Sequence, residues 1–186
     1  MLEKQSDWRK YESYTQKVLN QNIIQKYFEE YLKLLNLVIK PKKKLLGRKT
    51  ETMWEVDAYG YDTNNQLILI ECKHYKDRRV TQNTVAAFAY IIQDIKAEQG
   101  IIVTTQGLQK GAIQVAKAEN IALIQLHYNS TDKNFFVNFS SFEDSIKKDA
   151  VGKFTEQINS GAIGNGVMIA RHYSPEEVYK NSQNQK

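Results

Sequence analysis

One cysteine, Cys72, stands among 186 residues, which excludes an internal disulfide framework and any cysteine-rich zinc site. A lone thiol fits a reducing compartment, and the expected location is the cytoplasm. The opening Met-Leu-Glu-Lys-Gln-Ser-Asp-Trp has no apolar signal core, and no hydrophobic run approaches membrane-spanning length, so no membrane partner is expected. The three histidines, His74, His127 and His172, lack metal-ligand spacing. Gly47-Arg48-Lys49-Thr50 lacks both the glycine directly before lysine and the earlier glycine of a phosphate-binding loop, which removes that reading. The glycosylation-like triplets at Asn129 and Asn138 lack a secretory signal and are read as chance.

What is present is ordinary for a soluble globular chain: 41% hydrophobic and 25% charged residues. The length suits one domain with an appendage. Residues 1–128 are expected to form the domain and 129–186 a C-terminal extension, with a small β/α appendage and a frayed tail. A net charge of +5 and a pI of about 9.1 fit a polyanionic partner.

The chain is organised around residues 54–74. Two β-type runs flank a polar turn at 62–66, as in a hairpin with a slightly long loop. Alternation puts Glu55, Asp57 and Tyr59 on one face of the first strand, and Leu67, Leu69, Glu71 and Lys73 on one face of the second. Val56, Ala58, Ile68, Ile70 and Cys72 then point into a core. Residues 67–70 have the continuous apolar character of a strand buried on both faces, and an acid and a base follow at once. Charges near a core need partners or a metal, and Asp57 on the neighbouring strand can supply one. Two carboxylates and an ammonium converging at a sheet rim suit a hard divalent cation, which takes oxygen ligands and keeps several waters. A cation held there can polarise a phosphodiester, with Lys73 positioning a water or offsetting developing charge.

Residues 7 to about 36 read as helix, with a break near Asn20-Gln21-Asn22 and Asp7 as a possible N-cap. Trp8, Tyr11, Thr15, Leu19 and Ile23, then Tyr27, Phe28, Tyr31 and Leu35, recur at helical spacing. Glu12 falls inside this stripe, where an acid should have a partner or else reach water from the stripe edge. The run Lys40-Pro41-Lys42-Lys43-Lys44, followed by Arg48 and Lys49, reads as a basic loop leading into the first strand of the hairpin. Lys76, Arg78 and Arg79 form a second basic cluster. Both would flank the cation site where a duplex backbone lies, so Lys42, Lys43, Lys44, Arg48, Lys49, Lys76, Arg78 and Arg79 are candidate phosphate contacts. Tyr59, Tyr61 and Tyr75 are nearby, as packing residues or stacking platforms.

Thr81 or Gln82 starts a helix to about residue 98 with the stripe Val85, Phe88, Ala89, Ile92 and Ile95, ended by Gly100. A buried-type strand at 101–105, a small-residue helix at 107–119 and a strand at 121–128 follow. A hairpin and then strand–helix–strand–helix–strand predicts a mixed sheet with helices on both faces. Further on, the expectations are an edge strand at 135–139, a short helix at 141–148, a turn at Asn165-Gly166 before a strand at 167–170, and a helix starting at Ser174-Pro175.

Asp57 followed by Glu71-Xaa-Lys73 after an apolar strand resembles the signature of the PD-(D/E)xK nuclease superfamily. Gly47-Arg48-Lys49-Thr50 ahead of Trp54-Glu55-Val56-Asp57, the run Glu71-Cys72-Lys73-His74-Tyr75, and Gly100-Ile101-Ile102-Val103-Thr104-Thr105 together resemble the Mrr-type restriction endonuclease branch, over roughly residues 8–127. The resemblance implies a restriction-endonuclease-like α/β/α sandwich and a Mg²⁺-dependent DNA endonuclease in which Mn²⁺ can substitute. It implies Asp57, Glu71 and the Cys72 main-chain carbonyl as metal ligands, Lys73 as the residue orienting or activating water, and Glu12, in the pair Tyr11-Glu12, as an addition to the metal site. DNA is the implied partner, and a homodimer is the corollary of cutting both strands. The rival readings are a catalytically silent nucleic-acid-binding module and a nuclease-fold subunit of a larger assembly.

Overall fold

The computed structural model describes residues 7–126, 137–140 and 171–172. In chain order these form α1 (Asp7–Leu19), α2 (Asn22–Tyr27) running into a π-helical turn (Phe28–Leu32), β1 (Val38–Leu46), β2 (Met53–Tyr61), β3 (Leu67–Lys73), α3 (Gln82–Ile95), β4 (Gln99–Thr104), α4 (Lys110–Ala118), β5 (Ile121–Leu126), β6 (Val137–Ser140) and β7 (Arg171–His172). The strands join one sheet in the order β1-β2-β3-β4-β5-β6-β7. The pairs β1/β2, β2/β3 and β5/β6 are antiparallel, and β3/β4, β4/β5 and β6/β7 are parallel.

Two cores explain the continuous apolar strands. Tyr11, Val18, Leu19, Ile24 and Phe28 of the first helical region pack on Ile68, Ile70, Ile101, Val103 and Ile124. On the other face, Val85, Phe88, Ile92, Ala112 and Ala116 pack on Leu69, Ile102 and Leu123. Alternate residues of β3, β4 and β5 therefore enter opposite cores, and each strand is apolar on both sides. The result is the expected three-layer α/β/α sandwich around a mixed sheet.

Local chemistry sets the elements. Thr81 caps α3, its side chain accepting from the Thr84 N–H. In the β2–β3 turn, the Asp62 carboxylate accepts from the Asn64 and Gln66 backbone N–H groups, both at 2.9 Å. The helix break falls at Asn20 and Gln21, where Asn20 instead exchanges hydrogen bonds with the Ile39 backbone, 2.9 Å in each direction. That exchange docks the end of α1 on β1.

Several expectations are corrected. The lysine-rich run is not a loop but β1, the outer strand beside β2. Lysine and proline suit such a strand, since they block further pairing, but neither announces one in sequence. Val56 and Ala58 do not share a core: Ala58 joins the α1 side and Val56 the α3 side. The β1–β2 ribbon is paired to β3 only as far as Ala58–Ile70. Beyond that point it is free to twist, and simple alternation fails there. The third helix ends not at Gly100 but at Lys96, which takes the left-handed conformation at φ 60°. Gly100 lies in β4, where an added Cβ would come within 2.2 Å of Ile92 Cδ1, so its role is close helix–sheet approach. Trp8 and Leu35 are exposed rather than core. Val137–Ser140 lies between β5 and β7, not at an edge. The remaining expectations beyond residue 140, apart from residues 171–172, fall outside the described residues.

Candidate active site

The site begins where β2 leaves β3. The β2–β3 pairing stops at Ala58, and beyond it the Cys72 N–H donates to Asp57 Oδ2 at 2.8 Å. That bond turns the Asp57 carboxylate toward the end of β3, where Glu71 and Lys73 form an ion pair. Glu71 is about one-fifth and Lys73 about one-quarter exposed, in keeping with the rim of a sheet rather than its interior. Cys72, between them, is buried on the opposite face, and burial followed by the Asp57 charge pushes its thiol well above the usual range.

Glu12 is brought in from α1. Its neighbour Tyr11 is fully buried, donates a hydrogen bond to the Leu126 carbonyl at 3.0 Å and stacks on His74 with centroids 5.0 Å apart. Gln16 donates to the Ile39 carbonyl at 3.2 Å. These contacts fix the helix face that presents Glu12 to Asp57. Burial and then the Asp57 charge raise the Glu12 carboxyl to about 6, with Lys42 pulling the other way. Burial and Asp57 likewise raise Glu71, opposed by Lys73. Burial depresses the Lys73 ammonium, but Glu71 outweighs it and the net shift is upward.

Lys42, a candidate phosphate contact, is directed into the acid cluster. Its ammonium lies 3.3 Å from Glu12, 3.3 Å from Glu55 and 3.9 Å from Asp57. Lys43 and Lys44 are exposed, with the Lys43 ammonium 5.3 Å from the Tyr59 ring. Arg48 and Lys49 are exposed in the β1–β2 turn, which is tied to Asp94 in the last turn of α3. Lys76 and Arg78 are exposed on the loop leaving β3. Thr105 pins this loop, donating to the Tyr75 carbonyl at 2.5 Å and accepting its N–H at 3.0 Å. Arg78 sits 4.2 Å over the Tyr75 ring, and Arg79 is part-buried beside it. Tyr59 and Tyr75 pack against the α3-side core. The second basic cluster is thus continuous with the end of β3, whereas Arg48 and Lys49 are held on α3.

Sequence reasoning passed over Glu55 and Asp94. Glu55 was legible only as a strand acid sharing the Asp57 side. Asp94 gave no such signal: at 100° per residue it falls opposite the Val85–Ile95 stripe, where an acid is ordinarily solvated. It is buried and accepts from the Lys49 N–H at 2.9 Å, the Thr50 N–H at 3.1 Å, the Thr50 hydroxyl at 2.5 Å and the Trp54 indole N–H at 2.6 Å. Burial pushes its carboxyl up, but the donors of Thr50, Trp54 and Lys49 win and hold it at about 2. Gly47 is needed beneath it, because an added Cβ would fall 2.0 Å from Asp94 Oδ2.

Among the described residues, no three Asp, Glu, His or Cys groups are arranged to hold a metal ion by themselves. A magnesium ion needs only one or two carboxylates, with waters completing its shell. Asp57 and Glu71 offer hard oxygen donors at a largely buried but accessible rim, and the carboxylates there outnumber the ammonium groups, so the donor set fits such a cation.

No match was found among curated proteins. Among solved structures, similarity extends to a protein of unknown function, AF1548 (16% identity, TM-score 0.47, 59% of this chain and 56% of that one). It extends also to a repair endonuclease from Pyrococcus abyssi (20% identity, TM-score 0.35, 55% and 44%) and to EndoMS in a complex with dsDNA (19% identity, TM-score 0.34, 57% and 44%). The chain spans about half the length of these solved structures. A family model described as a restriction endonuclease, Mrr_cat, matches residues 21–128, more than half of the sequence and the whole stretch from α2 through β5 that carries Asp57, Glu71 and Lys73. The chain belongs to the Mrr_cat restriction endonuclease family.

Proposed function

We propose that the protein is a Mg²⁺-dependent DNA endonuclease that hydrolyses phosphodiester bonds. The observation that carries this reading is the meeting of Asp57 with the Glu71–Lys73 pair, in a chain of a restriction endonuclease family. Asp57, Glu71 and the Cys72 carbonyl would hold the cation, and Glu12 would complete the carboxylate shell. When bound, the cation supplies Lewis-acid stabilisation of charge on the phosphate. Lys73 orients the attacking water and offsets charge developing on the phosphoryl oxygens. Its ion pair with Glu71 fixes the ammonium at the rim, where a water and a phosphate both have access. The loop carrying Lys76, Arg78 and Arg79 leads directly away from Lys73 and suits the flanking phosphates of a duplex.

Incubating labelled duplex, branched and methylated DNA with Mg²⁺ or Mn²⁺ tests this reading. Chelator-sensitive cleavage that disappears in Asp57→Asn and Lys73→Ala proteins is the expected result. Cleavage indifferent to chelator, or undiminished in those variants, overturns it. Salt-sensitive binding with no product under either metal assigns the chain to a silent binding module instead.

A further inference from the structure

Lys42 is the one residue of the lysine run whose ammonium is drawn into an acid cluster. Lys40, Lys43 and Lys44 on the same strand are exposed, whereas Lys42 is about one-third exposed and is shared among Glu12, Glu55 and Asp57. Its other side lies 4.6 Å from the Trp8 ring. Two of the three carboxylates it holds, Glu12 and Asp57, are assigned above to the cation. An ammonium and a divalent cation a few ångströms apart repel one another, so the two cannot be accommodated equally well by Glu12 and Asp57. Space for an exchange is present: a cavity of about 370 Å³ opens here, lined by Trp8, Arg9, Glu12, Lys42, Glu55 and Asp57 among others. The lysine stem is flexible and its ammonium strongly hydrated, which makes it the kind of charge that can leave.

We propose that Lys42 is a displaceable internal counter-ion. It neutralises the acid cluster in the cation-free protein, is released when a divalent cation enters, and then contacts a backbone phosphate of bound nucleic acid, so that cation and nucleic acid bind cooperatively. The proposal rests on the nuclease reading for the identity of the site, but its first test involves no nucleic acid and no product. The exchange gives a role to the ion pairs that a residue of a basic run makes with Glu12, Glu55 and Asp57.

The full chain is titrated with Mn²⁺ by calorimetry in the absence of DNA, as wild type, Lys42→Met and Lys42→Arg. The expected result is Mn²⁺ binding about tenfold tighter in Lys42→Met, from removal of one nearby unit charge, with Lys42→Arg close to wild type. Unchanged or weaker binding in Lys42→Met overturns the proposal. Duplex binding is then compared by fluorescence anisotropy in a Lys73→Ala background. Lys42→Met is expected to lower affinity, and to reduce the salt slope by about 1, with Mn²⁺ present but not without it. An equal loss in both conditions makes Lys42 an ordinary phosphate contact and overturns the exchange. Should Lys42→Met fold poorly, the Lys42 ammonium of the wild-type protein is followed by NMR during titration with diamagnetic Mg²⁺. Release into fast solvent exchange supports the proposal, and a protected signal persisting at saturation overturns it. Absence of cleavage with intact exchange would count against the nuclease reading alone.

Discussion

Two buried or half-buried aspartates are treated in opposite ways. Asp94 accepts four hydrogen bonds from Lys49, Thr50 and Trp54, and its carboxyl is held at about 2. Asp57 accepts one backbone N–H and faces two further carboxylates, Glu12 and Glu71, both of which are raised. A carboxylate saturated by protein donors has few lone pairs left to offer and serves to tie a turn to a helix. A carboxylate crowded by its own kind, with one hydrogen bond and the Lys42 ammonium 3.9 Å away, keeps lone pairs open to a cation. The same side chain is structural in one place and chemically available in the other, and the number of donors around it makes the difference.

Replacing each aspartate by asparagine gives the widest separation between the two. Asp57→Asn should lower cleavage by about 10²- to 10³-fold or more, the scale of losing one preorganised charge-stabilising group, while the cation-free melting temperature holds or rises, because repulsion with Glu12 and Glu71 is relieved. Single-turnover cleavage and a thermal melt check both halves. Asp94→Asn should do the reverse. Its amide has a single acceptor oxygen, which cannot serve both the Lys49 and Thr50 backbone N–H groups on one side and the Thr50 hydroxyl and Trp54 indole on the other, so the melting temperature falls, and cleavage per folded molecule changes far less than in Asp57→Asn.

The contrast is sharpened by pH. Glu12 has a folded-state value of about 6 against an ordinary 4.5, so folding favours its protonated form. Its contribution to stability is fully present below about 4.5 and is lost as pH rises through about 6. Without divalent metal, Glu12→Gln should therefore match wild type in acid and exceed it at pH 8, by up to about 2 kcal/mol. Denaturant titrations at several pH values read this directly, and a difference constant across pH would contradict the assignment. Asp94 has the opposite sign: its contribution is present above the ordinary carboxylate range and is lost only as pH falls toward about 2. The smallest effect is expected at the basic loop. Arg78→Ala should weaken duplex binding uniformly across sequences and lower the salt slope by about 1, as measured by anisotropy at graded salt.

The parts of the fold legible in sequence are those fixed by local pattern. The β2–β3 hairpin, the stripe of α3 and the two-sided burial of β3 to β5 follow from side-chain periodicity, which a chain carries wherever it folds. Asp57, Glu71 and Lys73 were legible because strand ends leave short, recognisable polar breaks after apolar runs. β1 was not legible, since lysine and proline favour no strand by themselves and only hydrogen bonding to β2 makes them one. Glu12 was legible as an acid in need of a partner, but not which partner.

The sequence by itself determined which residues are apolar, where the turns fall and which charges stand at the ends of strands. Only the tertiary structure decided that the β1–β2 ribbon turns over near Asp57, sending Ala58 and Val56 into different cores and Lys42 toward Glu12. It likewise decided that Asp94 closes the basic turn. The physical reason is range: periodicity acts between neighbours in the chain, whereas the environment of a charge is set by whatever packs against it, here from α1, β1, β2 and β3 at once.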